Sequence, residues 1–311
     1  MLSDLPLDQL REYRPEVAEP ADFDEFWAAE LAAARAAGGE PSFVPADVPL
    51  AHARVFDVRF PGYRGEPVAA WLLVPHQVLP GAALVAEFVG YGGGRGHPLD
   101  WLACSCAGHP HLIMDTRGQG GSWLGSDTPD PSDAGAPATS GFLTRGIASP
   151  RRYYYTRLFI DAARAADAAR RHPAAAGRPL VTTGHSQGGG LSIAAAHLGE
   201  GIAAALPDVP FLAHPRRAVE VTATLPYQEL ADYCRVHPGR AEQVFATISY
   251  VDVVNHAKRA AAPALFSAGL ADDVTPPSTI FTAYHHYAGP SEIAVYPYSG
   301  HEGGGTPHFL A

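Results

Sequence analysis

The chain has 311 residues, 47% of them hydrophobic and 17% charged, which is enough to bury a large core without disulfide or metal staples. Its net charge of −10, with 22 scattered basic residues, argues against a nucleic-acid surface, since phosphate binding needs clustered Lys and Arg. No apolar run approaches the ~20 residues of a membrane helix, and three cysteines do not make a disulfide framework, so a cytoplasmic setting is expected.

The opening, MLSDLPLDQLREYRPE, lacks the basic-then-apolar pattern of a secretory leader. Residues 1–20 read as an arm over the surface. Asp22, with Glu25 three residues on, has the pattern of a capping box opening a helix. Phe23, Phe26, Trp27, Leu31 and Ala34 share one face of it, and Gly38-Gly39 and Pro41 end it. Val55–Phe60 alternates apolar and polar residues, Gly62–Gly65 is a turn, and Pro67–Val74 returns, so an antiparallel hairpin is expected.

From residue 82 short apolar runs alternate with helical segments. Ala83–Val89 ends in Gly90-Tyr91-Gly92-Gly93-Gly94-Arg95-Gly96, and His111–Asp115 ends in Arg117-Gly118-Gln119-Gly120. Residues 125–150 read as a long loop. Tyr155, Leu158, Phe159, Ala162, Ala163 and Ala166 recur at helical spacing before His172-Pro173. Leu180–Thr183 leads into Gly184-His185-Ser186-Gln187-Gly188 and a helical Leu191–Leu198. Residues 207–262 read as a mostly helical insertion. Pro263–Ala268 and Glu292–Tyr298 are the last strands, ending near Asp272-Asp273 and Gly300-His301-Glu302. The alternation predicts one α/β domain over 1–311 with a mostly parallel sheet and helices on both faces. Ligands bind such sheets beyond the carboxyl ends of the strands, where each of these polar groups falls.

G-x-S-x-G between a strand and a helix is the pattern of a nucleophile elbow. A serine needs a base, and the base needs a carboxylate to fix its tautomer. The chain order Ser, acid, His of this arrangement is met by Ser186, then Asp272 or Asp273, then His301. Asp208 is a further candidate acid, and the residues alone do not choose between 272 and 273. The backbone N–H of Gln187 and of Tyr91 are the candidate oxyanion donors. The Gly-rich loop has Arg95 where a dinucleotide fingerprint needs Gly, and no Lys-Ser/Thr pair, so nucleotide binding is not expected. Cys104, Cys106, His109 and His111 lack a second cysteine pair and read as core residues, and His301-Glu302 opens an H-E-x-x-H pattern that Gly305 breaks, so no metal or other cofactor is expected.

Together, Arg117-Gly118-Gln119, Gly184-His185-Ser186-Gln187-Gly188 and His301-Glu302 resemble the acetyl xylan esterases and cephalosporin C deacetylases of carbohydrate esterase family seven. DFDEFW, GYGGGRG, MDTRGQG, PPST and HHYAGP extend the likeness over nearly the whole chain. The resemblance implies an α/β-hydrolase fold with Ser186 as nucleophile, His301 as base and Asp272 as its partner, the last from the family's G-x-x-D before PPST. It implies oxyanion donors at Tyr91 and Gln187, Pro226 lining the pocket beside Tyr91, small acetylated substrates, and a hexamer built as a dimer of trimers. His185 stands where the family would place Gly. The family continues into a helix announced here by Thr306 and Pro307. Arg117 and Gln119 are expected to hold loops around the site. A serine peptidase or amidase of the same fold, and a non-catalytic binding protein, are the competing readings.

Overall fold

The computed structural model describes residues 4–131 and 138–310. Among these residues nine strands form one sheet: β1 (Ser42–Ala46), β2 (Ala53–Pro61), β3 (Pro67–Pro75), β4 (Leu84–Phe88), β5 (His111–Met114), β6 (Leu180–His185), β7 (Ile202–Asp208), β8 (Ala264–Gly269) and β9 (Ser291–Tyr296). Their spatial order is β1-β2-β3-β5-β4-β6-β7-β8-β9. The first three strands run antiparallel to their neighbours, with the expected hairpin pairing Val58 to Ala70. From β5 through β9 every adjacent pair is parallel.

Period-two alternation sorts the strands' side chains onto two faces. Val58, Phe60, Leu72, Phe88, Leu112 and Met114 enter the main core with the helices Phe23–Ala36, Tyr154–Ala169 and Gln187–Leu198. Val55, Leu73, Val89 and Ile113 pack on the other face, against Trp101 and against Leu102 of the short helix Leu102–Cys106. Every residue of Gln187–Leu198 except His197 is buried, so this helix is apolar all round rather than amphipathic. With its mostly parallel sheet flanked by helices and its swapped β5 and β4, this is the α/β-hydrolase fold.

Two strands were not foreseen. β1 lies on the edge and carries Pro45, and β7 reads as Ala-rich, so neither has a strong strand pattern. The insertion expected from residue 207 therefore begins inside β7; beyond it come the helices Pro215–Val221, Gln228–Val236, Ala241–Ile248 and Val253–Ala257. The capping box at Asp22 does not form: its side chain caps no helix N–H and instead accepts from the Tyr250 hydroxyl. The N-terminal arm is anchored by buried Leu10 and by Asp4, which accepts from Arg217 and the Ser278 N–H. The described residues contain no helix long and apolar enough to cross a membrane, and all three cysteines are free.

Candidate active site

Ser186 sits between β6 and the helix that Gln187 opens. Its backbone is in a positive-φ conformation (φ 58°, ψ −115°) that a non-glycine residue adopts at a cost of ~1–3 kcal/mol. The turn brings the helix start hard against β4: a side chain at Gly188 would overlap the Phe88 carbonyl, and one at Gly184 would meet the backbone of Gly188 at 2.5 Å. Glycine at both positions lets Ser186 stand at the top of the sheet. Its own amide donates to the Asp208 carbonyl at 2.9 Å, and its carbonyl accepts from Phe211.

His301, in the loop after β9, is held by Asp272, in the loop after β8. Nδ1 of His301 lies 2.9 Å from Oδ2 of Asp272, which is fully buried. The other oxygen of Asp272 accepts from the amides of Val274 and Thr275, both at 2.8 Å, and the Thr275 hydroxyl donates to Oδ2 at 2.8 Å. Four donors thus fix this carboxylate, and the imidazole proton is directed to Nδ1, leaving Nε2 free to accept. Asp273 is exposed, and its carbonyl is occupied by the Thr222 hydroxyl. The geometry therefore separates the two aspartates that sequence left open.

Asp208, the third candidate acid, belongs to a different pair. It bonds Nδ1 of His185 at 2.7 Å and accepts from the Ser267 hydroxyl. Burial would raise its carboxyl, but these two partners outweigh that and hold it below the ordinary carboxylate value. The rings of His185 and His301 lie 4.9 Å apart, edge to face.

Tyr91, Ser186, Pro226 and His301 line one pocket of about 300 Å³, with Trp123, Leu225 and Val274 completing its apolar wall. Gln187 is the first residue of its helix, so its N–H is one of the four without an intrahelical partner and faces the strand ends. The Tyr91 carbonyl accepts from the Trp123 indole at 2.9 Å, which fixes the peptide plane next to the Tyr91 amide. The Tyr91 hydroxyl donates to Glu229 and accepts from the amides of Gly141 and Phe142. Burial, with the Glu229 carboxylate beside it, pushes this phenol well above its ordinary value, so it remains a neutral donor. Glu229 and Trp123 were not anticipated from sequence; each stood alone in an unpatterned stretch.

Gln119 and Arg117 hold loops. Gln119 accepts from the Gly92 amide and donates to Gln187 and to the Tyr154 hydroxyl. The Gln187 side chain also donates to the Val89 carbonyl and accepts from Tyr155. Arg117 is fully buried among Asp161, Glu66 and Asp130, with a bidentate contact to Asp161 at 2.5 and 2.8 Å. Burial disfavours its charge, but Asp161 and Glu66 outweigh that and keep the guanidinium protonated. Arg157 makes a further contact to Asp130. Arg95 ties the Gly-rich loop to β2 and β3 through Asp57 and the Ala70 carbonyl and lies 3.8 Å over the Trp71 ring.

A sequence profile described as Acetyl xylan esterase (AXE1) matches residues 1–309. An acetyl xylan esterase from Paenibacillus sp. R4 superposes with a TM-score of 0.87 at 37% identity, covering 98% of this chain and 96% of that one. Acetyl xylan esterase 1 from Thermoanaerobacterium sp. JW/SL YS485 gives 0.87 at 32% identity, covering 99% and 96%. The acetyl esterase Axe7A of Xylanibacter ruminicola is 26% identical over 162 residues, which span 52% of this chain and 36% of that longer protein. The full-length profile match and the two near-complete superpositions place this chain in the acetyl xylan esterase family of carboxylic ester hydrolases.

Proposed function

We propose that the protein is a serine esterase that removes acetyl groups from small acetylated substrates through an acyl-serine intermediate. The observation that carries this reading is the shared pocket: Ser186 and His301 line one cavity with Tyr91 and Pro226, and His301 is held from behind by buried Asp272. In this reading Nε2 of His301 takes the proton of the Ser186 hydroxyl as its oxygen attacks the acetyl carbonyl. Asp272 keeps the imidazole in the required tautomer and stabilises the imidazolium. The amides of Tyr91 and Gln187 receive the oxyanion, each such donor being worth ~10²–10³ in rate. His301 then protonates the leaving alcohol, and water, activated by the same base, releases acetate.

The ~300 Å³ pocket walled by Tyr91, Trp123 and Pro226 supports a short acyl group. Acetylated xylo-oligosaccharides and cephalosporin C-like esters are the substrates we expect, the former by analogy with the names of the relatives above. The cytoplasmic setting is supported by three free cysteines, and assembly as a hexamer, a dimer of trimers, rests on the family resemblance; sedimentation at several concentrations tests it. The functional test is turnover of aryl acetate, butyrate and octanoate, then of acetylated xylo-oligosaccharide, cephalosporin C and a peptide amide. Acetate should be preferred and the amide left intact, and Ser186→Ala should be inactive but folded. Equal rates on all three acyl chains, or activity retained in Ser186→Ala, would sink the reading. Amide turnover would favour the peptidase alternative.

A further inference from the structure

A second chemical cluster lies on the opposite face of the sheet from the main core, beneath the helix Leu102–Cys106. Alternation along the parallel strands β4 and β5 points Glu87 and His111 to this face, and the helix lowers Cys104 onto them. The carboxylate, the imidazole and the thiol present donor atoms that all lie within 4.8 Å of one another. An ion that holds ligands at ~2.0–2.3 Å spans at most about 4.6 Å between any two of them.

His111 gives an independent sign. Its side chain is 1% exposed. Nδ1 faces the Trp101 carbonyl at 3.3 Å, an oxygen that can only accept, so Nδ1 carries a proton. That is the backbone-anchored tautomer in which metal-binding histidines present Nε2. Among the described residues Nε2 has no hydrogen-bond partner, although Oε2 of Glu87 is 2.7 Å away, out of line with the ring N–H direction. In the neutral ring Nε2 therefore keeps a lone pair that no donor satisfies, with the Glu87 carboxylate and the Cys104 thiol beside it.

We infer that Glu87, Cys104 and His111 form a binding site for one divalent transition-metal ion of the zinc class. Imidazole, thiolate and carboxylate together suit zinc, whereas calcium and magnesium take oxygen ligands. A thiolate and a carboxylate carry two negative charges, which a divalent ion neutralises, so the loaded site holds no net charge in its buried setting. On binding, the thiol releases its proton to water and a metal–sulfur bond takes its place. Without the ion, burial and then Glu87 push the Cys104 thiol up to about 12, so it is a neutral thiol. Glu87 and His111 also line an adjoining cavity of about 370 Å³ that reaches His185 and Asp208, which gives the ion an entry path and a water for its fourth position. The ion would clamp helix Leu102–Cys106 to β4 and β5, and this site is independent of the acyl chemistry above.

The test uses untagged, chelator-stripped protein carrying Cys106→Ser and Cys234→Ser, which leaves Cys104 as the one thiol of the three in the chain. Titration with Co²⁺ should produce sulfur-to-cobalt charge-transfer absorption that saturates at one ion per chain and is displaced by Zn²⁺. Adding Cys104→Ser should abolish that absorption, and adding His111→Gln should weaken Co²⁺ binding at least tenfold. Thermal melts establish that each variant is folded, and the parent spectrum decides the matter if a variant is not. No charge-transfer band at saturating Co²⁺ would overturn the site, leaving a direct His111–Glu87 contact in its place. Unchanged affinity in a folded His111→Gln variant would overturn it as well.

Discussion

Gln119 donates from Nε2 to Oε1 of Gln187 across 2.9 Å, both side chains buried. The orientation is fixed at each end, because the Gly92 amide can only donate to Gln119 and the Val89 carbonyl can only accept from Gln187. The pair therefore ties the loop carrying the Tyr91 amide to the residue carrying the Gln187 amide. Replacing Gln119 by Leu leaves the Gly92 N–H without this acceptor. We expect a stability loss of ~1–3 kcal/mol and a kcat on aryl acetate lower by about ten- to a hundredfold, short of the ~10²–10³ of losing a donor outright. KM should change little. Steady-state kinetics beside urea unfolding would read both effects, and an unchanged kcat would leave the pair a purely structural role.

The two neighbouring aspartates should behave very differently. In Asp272→Asn the amide oxygen must continue to accept from Val274 and Thr275, so the new NH₂ group faces Nδ1 of His301. That forces the proton onto Nε2, the wrong tautomer for a base. We expect kcat to fall by on the order of 10³–10⁴ with the fold intact. Asp273→Asn, at an exposed side chain, should stay within about twofold. The reverse ranking in the same assay would move the acid to residue 273.

Tyr91 lines the pocket, and Glu229 holds its hydroxyl from behind. Glu229 accepts from Tyr91, Gly141 and Leu143, joining the helix Gln228–Val236 to the segment at 141–143. Tyr91→Phe keeps the Tyr91 backbone N–H but loosens this side of the pocket. The ratio of butyrate to acetate turnover should rise, since discrimination between acyl chains of this size is worth only ~1–3 kcal/mol. A ratio unchanged from wild type would separate the hydroxyl from acyl selection.

Buried histidines predict a stability loss in acid. Burial first, then nearby arginines, push His197 and His214 down to about 4, and burial pushes His256 well below its ordinary value. Nδ1 of His197 and Nδ1 of His256 are 3.0 Å apart, and Nε2 of His256 must donate to the Tyr250 carbonyl, so one shared proton already fills the gap. The unfolded chain binds protons at these residues below pH 6.5 and the folded chain does not, so their contribution is lost as pH falls from 6.5 toward 4. Buried Asp252, raised to about 7 by desolvation, works in the opposite direction over roughly the same window. Three groups against one give a net slope of up to about 3 kcal/mol per pH unit. Urea unfolding at pH 5 and 6.5 measures it. His197→Phe should flatten the slope, and a wild type equally stable at both values would contradict the assignment.

Strands β2 to β6 and the elbow were legible because each was signalled locally: alternation, a short apolar run, or glycine around Ser186. β7 was not, because its alanines carry no strand preference and its place comes from pairing with β6 and β8. The choice of Asp272 over Asp273 depends on which carboxylate a turn directs inward, and adjacent residues do not encode that singly. Gln119 and Gln187 are 68 residues apart and Tyr91 and Glu229 are 138 apart, so their bonds exist only after the sheet has assembled. The capping box at Asp22 failed for the same reason in reverse: a tertiary partner, Tyr250, claimed the side chain.

The buried charges around Arg117 have a consequence for how the molecule opens. Glu66 comes from the turn between β2 and β3, Arg117 and Asp130 from the loops after β5, and Asp161 and Arg157 from one long helix. Detaching any one segment would strand charges of the others in an apolar interior, which is far costlier than the loss of the contacts themselves. Hairpin, loop and helix should therefore open as one cooperative unit, and the amide protons of β3 and of Tyr155–Ala166 should exchange with solvent at a common, slow, global rate.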